Sequence, residues 1–138
     1  MAKMTTTQIQ RAIRRALDDW RPLLGVDRWQ ISVRFQEPEE ARHAGDIGDN
    51  AGTTCTPEYF TANLYFNVDS IRSSSDGKSA KHLSYLVLHE LCHCLTWSLD
   101  QAAASVMVDE WHRRELESQT CRIARAIWVA RYDEEPPE

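Results

Sequence analysis

With 138 residues, the chain has room for one domain with a modest core. Its 27% charged and 42% hydrophobic residues are those of an ordinary globular domain, not of a fibre or a wholly disordered segment. A net charge of −5, with no continuous basic stripe and no apolar run of bilayer-spanning length, makes nucleic acid and membrane unexpected partners.

The first ten residues are polar and lack the apolar core of a signal peptide, so a cytoplasmic location is expected. In that compartment the four cysteines, Cys55, Cys92, Cys94 and Cys121, are read as reduced, small core side chains. From Thr5 to Trp20, the residues Ile9, Ile13, Ala16, Leu17 and Trp20 recur at three- and four-residue steps, which predicts an amphipathic helix. Pro22 and Gly25 punctuate its end. Trp29 to Phe35 alternates apolar and polar residues and predicts a half-buried strand. Residues 36–52 are acidic and hold Pro38, Gly45, Gly48 and Gly52, which predicts a long mobile loop. A short strand is expected over Thr53–Thr56 and another over Thr61–Val68, followed by a polar, flexible connector over Arg72–Lys78. Ser79 offers a cap for a helix from about Ala80 to Leu99, and a closing helix is expected from Asp109 to Tyr132. The fold class is therefore α+β: a leading helix, a small mixed or antiparallel sheet of about three strands, and two further helices. Residues 1–132 form the single domain, and 133–138 are left as a disordered acidic tail.

Inside the first of the long helices lies His89-Glu90-Leu91-Cys92-His93. Four helical residues advance by about 400° and about 6 Å, so both imidazoles leave one face a turn apart. That spacing suits two neutral imidazole nitrogens gripping one Zn²⁺ at about 2 Å each. Zinc lowers the pKa of a bound water to about 7, and Glu90, on the flank of that face, is placed to act as general base.

A catalytic zinc ordinarily has three protein ligands. The third histidine of the longer HExxHxxGxxH motif is missing, because Thr96 and Leu99 stand at its glycine and histidine positions. Asp109, Glu110, His112, Glu115 and Glu117 on the closing helix are the candidates. Glu117 leads: it lies 24 residues after His93, at the margin of an apolar stripe, with small Thr120, Cys121 and Ala124 on its face. Glu110, His112 and Asp109 stay open as alternatives. His82, about 10 Å from His89 along the axis, is too far for the same coordination shell. His43 is expected in solvent, and Tyr65, Tyr85, Tyr132 and His112 are possible donors to an oxyanion.

Taken with their order in the chain, these residues resemble the compact gluzincin-type zinc metallopeptidase domains of phages and prophages. The resemblance rests on the leading helix, the Trp29-Ile31-Val33 strand, the Ala62–Val68 strand, Leu86 to His93, and the closing helix with Glu117, Thr120, Ile123, Ala124 and Ile127. It implies a minimal zincin fold, with Zn²⁺ held by His89, His93 and Glu117, Glu90 as general base, a peptide or protein substrate and a phage-encoded origin. Such domains often carry an acid four residues beyond the ligand glutamate; here Cys121 stands there. Two other readings are a non-catalytic zinc- or peptide-binding module of the same fold and, more remotely, a deformylase-like amide hydrolase using Cys55 as a ligand.

Overall fold

The structure, a computed structural model, describes residues 3–36, 50–104 and 109–138, with the side chains of 98–104, 109 and 111–113 left aside. It is α+β, with four helices and a three-stranded mixed sheet among those residues. Helix α1 spans Thr6–Leu23 and starts from a capping box, in which the Gln8 amide donates to Thr5 Oγ1 and the Thr5 amide donates to Gln8 Oε1. Its buried stripe is Ile9, Ile13, Ala16, Leu17 and Trp20. The helix continues three residues past Trp20, through Pro22, and the chain then turns at Gly25 with a φ of 73°.

Strands β1 (Gln30–Arg34), β2 (Ala51–Thr56) and β3 (Thr61–Phe66) form the sheet in the order β1-β3-β2. β1 runs parallel to β3, with Ile31 opposite Ala62; β2 runs antiparallel to it, with Cys55 opposite Ala62 and Thr53 opposite Leu64. β3 turns Ala62, Leu64 and Phe66 into the core. β2 starts two residues before the expected strand, so Ala51 and Gly52 belong to the sheet and not to the loop. Gly52 is possible there because the Tyr65 ring lies across it: a Cβ at 52 would stand 2.3 Å from that ring. Most of the expected loop, 37–49 with His43, lies outside the described residues.

The third strand ends at Phe66, two residues short of the expected Val68. Asn67 Oδ1 accepts from the Ser70 amide and caps a short helix, α2 (Val68–Arg72), whose Val68 and Ile71 are buried. The segment expected as a flexible connector is instead a 3₁₀ turn over Ser75–Lys78, pinned from a distance. Asn50 Nδ2 donates to Ser74 Oγ at 3.0 Å and to Asp76 Oδ2 at 2.7 Å, while Ser70 Oγ donates to Asn50 Oδ1 at 2.6 Å.

Helix α3 spans Ala80–Ala104, five residues longer than expected, and α4 spans Asp109–Tyr132. α3 is the hub, packing against α1, α4 and β2. Leu83, Val87, Leu88 and Leu91 are fully buried along it. Trp20 Nε1 donates to Ser84 Oγ at 2.9 Å, and Trp20 and Trp128 stack 6.1 Å apart, so the three long helices share one aromatic seam. No helix among the described residues is long and apolar enough to cross a membrane.

Candidate metal centre

α3 presents both histidines on one side because its other side is anchored in the core. Leu88, Leu91 and Cys92 are fully buried against the sheet and α1, which fixes the helix rotation and turns His89 and His93 toward α4. Their rings lie 5.0 Å apart, nearly perpendicular at 81°. From α4, the Glu117 carboxylate reaches both: Oε2 stands 3.4 Å from His89 Nε2 and Oε1 stands 3.5 Å from His93 Nε2. These separations are long for direct charge-assisted hydrogen bonds, which settle near 2.7–2.9 Å. Each is close to the roughly 3.4 Å between two donors of a tetrahedral ion with bonds of about 2.1 Å, although the two histidines meet different oxygens of the carboxylate. The donor set, two imidazoles and a carboxylate, is also the one zinc takes in hydrolytic sites.

The outward-facing ring nitrogens are addressed by the next turn of α4. His93 Nδ1 stands 3.4 Å from the Thr120 hydroxyl, which is fully buried, and His89 Nδ1 stands 3.9 Å from Cys121 Sγ. Partners at Nδ1 hold each ring's tilt and leave Nε2 to face Glu117. Cys121 is exposed, unlike the other three cysteines and unlike the core role expected of it. Cys55 and Cys94 face each other at 3.5 Å instead, between β2 and α3.

Glu90 is buried to 5% exposure, and Thr53 on β2 reaches over to it. The Thr53 hydroxyl lies 2.6 Å from Glu90 Oε2 and 3.1 Å from the Glu90 carbonyl. The Glu90, His89 and His93 donors lie within 4.8 Å of one another, as do those of His89, Glu117 and Cys121.

Burial pulls His89 down, but the hydrogen bond it donates to Glu117 and the nearby Glu90 carboxylate outweigh it, leaving His89 above its ordinary value. His93 is pushed down to about 4 by burial and by the neighbouring His89. At neutral pH His93 is therefore unprotonated, the state a metal ligand requires. Glu117 is held below the usual carboxylate range by its hydrogen bond to His89.

His89, Glu90 and Glu117 open on a cleft of about 410 Å³ that also takes in His82, Tyr85 and Pro137. A larger groove of about 870 Å³ lies between α1 and the ends of α3 and α4, lined by Arg11, Arg15, Lys81 and Trp128 among others. It contains neither histidine nor Glu90, so the chemistry belongs to the smaller cleft. Of the other residues singled out from sequence, Glu110 is exposed and pairs with Arg114 at 3.3 Å, away from the histidines. Glu115 is exposed as well, and the side chains of Asp109 and His112 lie outside those described. Tyr85 lines the cleft with its phenol pushed up by burial, so it stays a donor. Tyr132 stacks on Trp128, and Tyr65 covers Gly52. Thr53 was invisible to sequence reasoning, because nothing local marks a strand threonine as facing a helix glutamate 37 residues on. The chain matches no protein-family model, no curated protein and no solved structure.

Proposed function

We propose that the chain is a zinc-dependent peptide hydrolase of minimal zincin type, with His89, His93 and Glu117 holding the metal and Glu90 as general base. The observation that carries this reading is the approach of both imidazole Nε2 atoms to the two oxygens of one carboxylate, at 3.4 and 3.5 Å. Zinc bound there supplies a Lewis acid that polarises a carbonyl and makes water a competent nucleophile near neutral pH. Glu90 would take a proton from the attacking water and return it to the departing amine. The Thr53 hydroxyl holds its carboxylate in one orientation, so no rotamer search precedes proton transfer. Tyr85, whose phenol lines the same cleft, would donate to the carbonyl oxygen as charge develops on it.

β2 stands at the edge of the described sheet and packs on α3, with Thr53 turned to Glu90. An extended peptide adding to that edge would run past the histidines, its main chain held by strand-type hydrogen bonds. The test pairs metal analysis with turnover. The purified chain binds about one zinc, His89→Ala does not, and Glu90→Gln retains zinc while losing cleavage of a peptide library. Undiminished cleavage by Glu90→Gln overturns the mechanism.

A second reading is supported by Cys121. Its thiol lies within 4.8 Å of the donors of His89 and Glu117; were it and His93 both to join them, four protein ligands would close the site and zinc would be structural in a peptide-binding module. Cobalt substitution separates the two. A thiolate charge-transfer band that vanishes in Cys121→Ser supports the closed site, and its absence from the unaltered chain refutes it.

A further inference from the structure

Beyond α4 the chain folds back along the body. Asp133 takes a φ of 54° while its amide donates to the Val129 carbonyl at 2.8 Å, a left-handed helix end that reverses direction. Four of the next contacts run to basic or imidazole groups on the two long helices. Glu134 pairs with Lys81 at 2.5 Å; the Glu135 carboxylate is taken by both Arg125 Nε, at 2.9 Å, and Arg125 Nη2, at 2.5 Å; and the Glu138 carbonyl lies 2.8 Å from His82 Nε2. Pro137 between them is half-buried and forms part of the wall of the cleft that holds His89, Glu90 and Glu117.

The geometry points to residues 133–138 as a strap that fills, in cis, a subsite for an acidic, extended peptide segment, running from the larger groove, where Lys81 and Glu134 lie, to the edge of the histidine cleft, where His82 and Pro137 lie. The complementarity is chemical. Four of the six tail residues are acidic, and Arg125 meets a carboxylate in the two-pronged manner that guanidinium favours. The proline pair keeps the segment extended at low entropic cost. The strap is also releasable. Its ion pairs are half-exposed, at 49% and 48% for Lys81 and Glu134 and 58% and 68% for Arg125 and Glu135, and such pairs hold only weakly. Tethering supplies the effective concentration that keeps the subsite occupied.

His82 precedes His89 by two turns on the same face, roughly 10 Å, which is about three residues of extended chain. On the hydrolytic reading, which this placement rests on, an acidic segment bound there would lie about three residues from the bond being cut. The subsite itself does not depend on hydrolysis and is tested without metal or turnover.

A fluorescently labelled hexapeptide with the sequence of residues 133–138 is titrated at low salt, by anisotropy, into the unaltered chain and two full-length variants. Glu134→Lys/Glu135→Lys releases the tail and leaves the groove, so it binds the peptide about tenfold tighter than the unaltered chain, whose subsite is open only about one-tenth of the time. Lys81→Glu/Arg125→Glu releases the tail and removes the groove's charge, so it binds no tighter than the unaltered chain. Because all four side chains are exposed, folding is checked by near-ultraviolet dichroism of the Trp20–Trp128 seam, and Glu134→Gln/Glu135→Gln serves as a milder release. Equal affinity of the unaltered and tail-released chains, absence of binding to both released chains, or tight binding to the Lys81→Glu/Arg125→Glu chain overturns the proposal.

Discussion

Replacing Thr53 with valine isolates the contact on which the placement of Glu90 depends. The two side chains are nearly the same size, so the substitution opens no cavity and mainly removes the hydroxyl 2.6 Å from Glu90 Oε2. Glu90 is 5% exposed, and water cannot readily replace the lost donor. A hydrogen bond removed from a buried polar group costs about 1–3 kcal/mol. For a domain of this size that corresponds to a fall in Tm of roughly 3–4 °C per kcal/mol, hence about 3–12 °C. Urea denaturation of the metal-free protein measures it, in a double-mutant cycle with Glu90→Ala. Because the two side chains touch, the cycle returns a coupling of about 1 kcal/mol or more. Thr53→Ser, which keeps the hydroxyl, recovers most of the stability. If Thr53→Val and Glu90→Ala add to within about 0.5 kcal/mol, the hydroxyl does not hold the carboxylate and the account of Glu90 positioning is wrong.

Three further outcomes are expected. Glu117→Ala weakens zinc binding by more than the roughly 10–100-fold typical of losing an outer partner, while Cys55→Ser, whose thiol faces Cys94, leaves it unchanged; competition with a chelator measures both, and the reverse pattern would favour a deformylase-like site. The metal-free protein loses stability on acidification: His93 is held neutral down to about 4, so between its unfolded value near 6.5 and about 4 the unfolded chain binds a proton that the native chain refuses. Glu117, held low, adds to this loss as pH falls, whereas the raised His89 opposes it; the net is on the order of 1 kcal/mol between pH 6.5 and 5, read by urea midpoints, and a midpoint that rises on acidification contradicts the assignment. In thiol labelling, the exposed Cys121 reacts first and is slowed by zinc, while Cys92, fully buried with its pKa pushed up to about 12, stays unlabelled until unfolding; mass spectrometry of digests decides the order.

Much of the architecture was legible because it is written in local periodicity. The stripe from Ile9 to Trp20 located α1, and the closing helix was placed at Asp109–Tyr132 as found. Histidine spacing placed two imidazoles on one helical face without reference to the rest of the chain. Glu117 was readable as an acid with no reason to sit beside an apolar stripe, and the fold brings it to both rings. What stayed hidden depends on partners distant in sequence. Gly52 reads as a strand breaker until the Tyr65 ring is seen to need its missing side chain. Residues 72–78 read as slack until Asn50, more than twenty residues earlier, is found holding Ser74 and Asp76. The apolar alternation over 61–68 ran on into Val68 and masked the Asn67 cap that starts α2. The tail, dismissed on composition alone, is positioned by side chains that only the tertiary fold gathers.

The strand order β1-β3-β2 also governs how the molecule can assemble. During synthesis the first strand emerges with nothing to pair with, since it finds its ladder only on the third. The second and third strands, antiparallel and joined by residues 57–60, can pair early as a hairpin, but closing the sheet awaits contacts between segments some thirty residues apart, as Gln30 with Thr61. Such non-local closure slows folding, and it leaves the first strand's backbone unsatisfied for any chaperone or neighbouring nascent chain to find first.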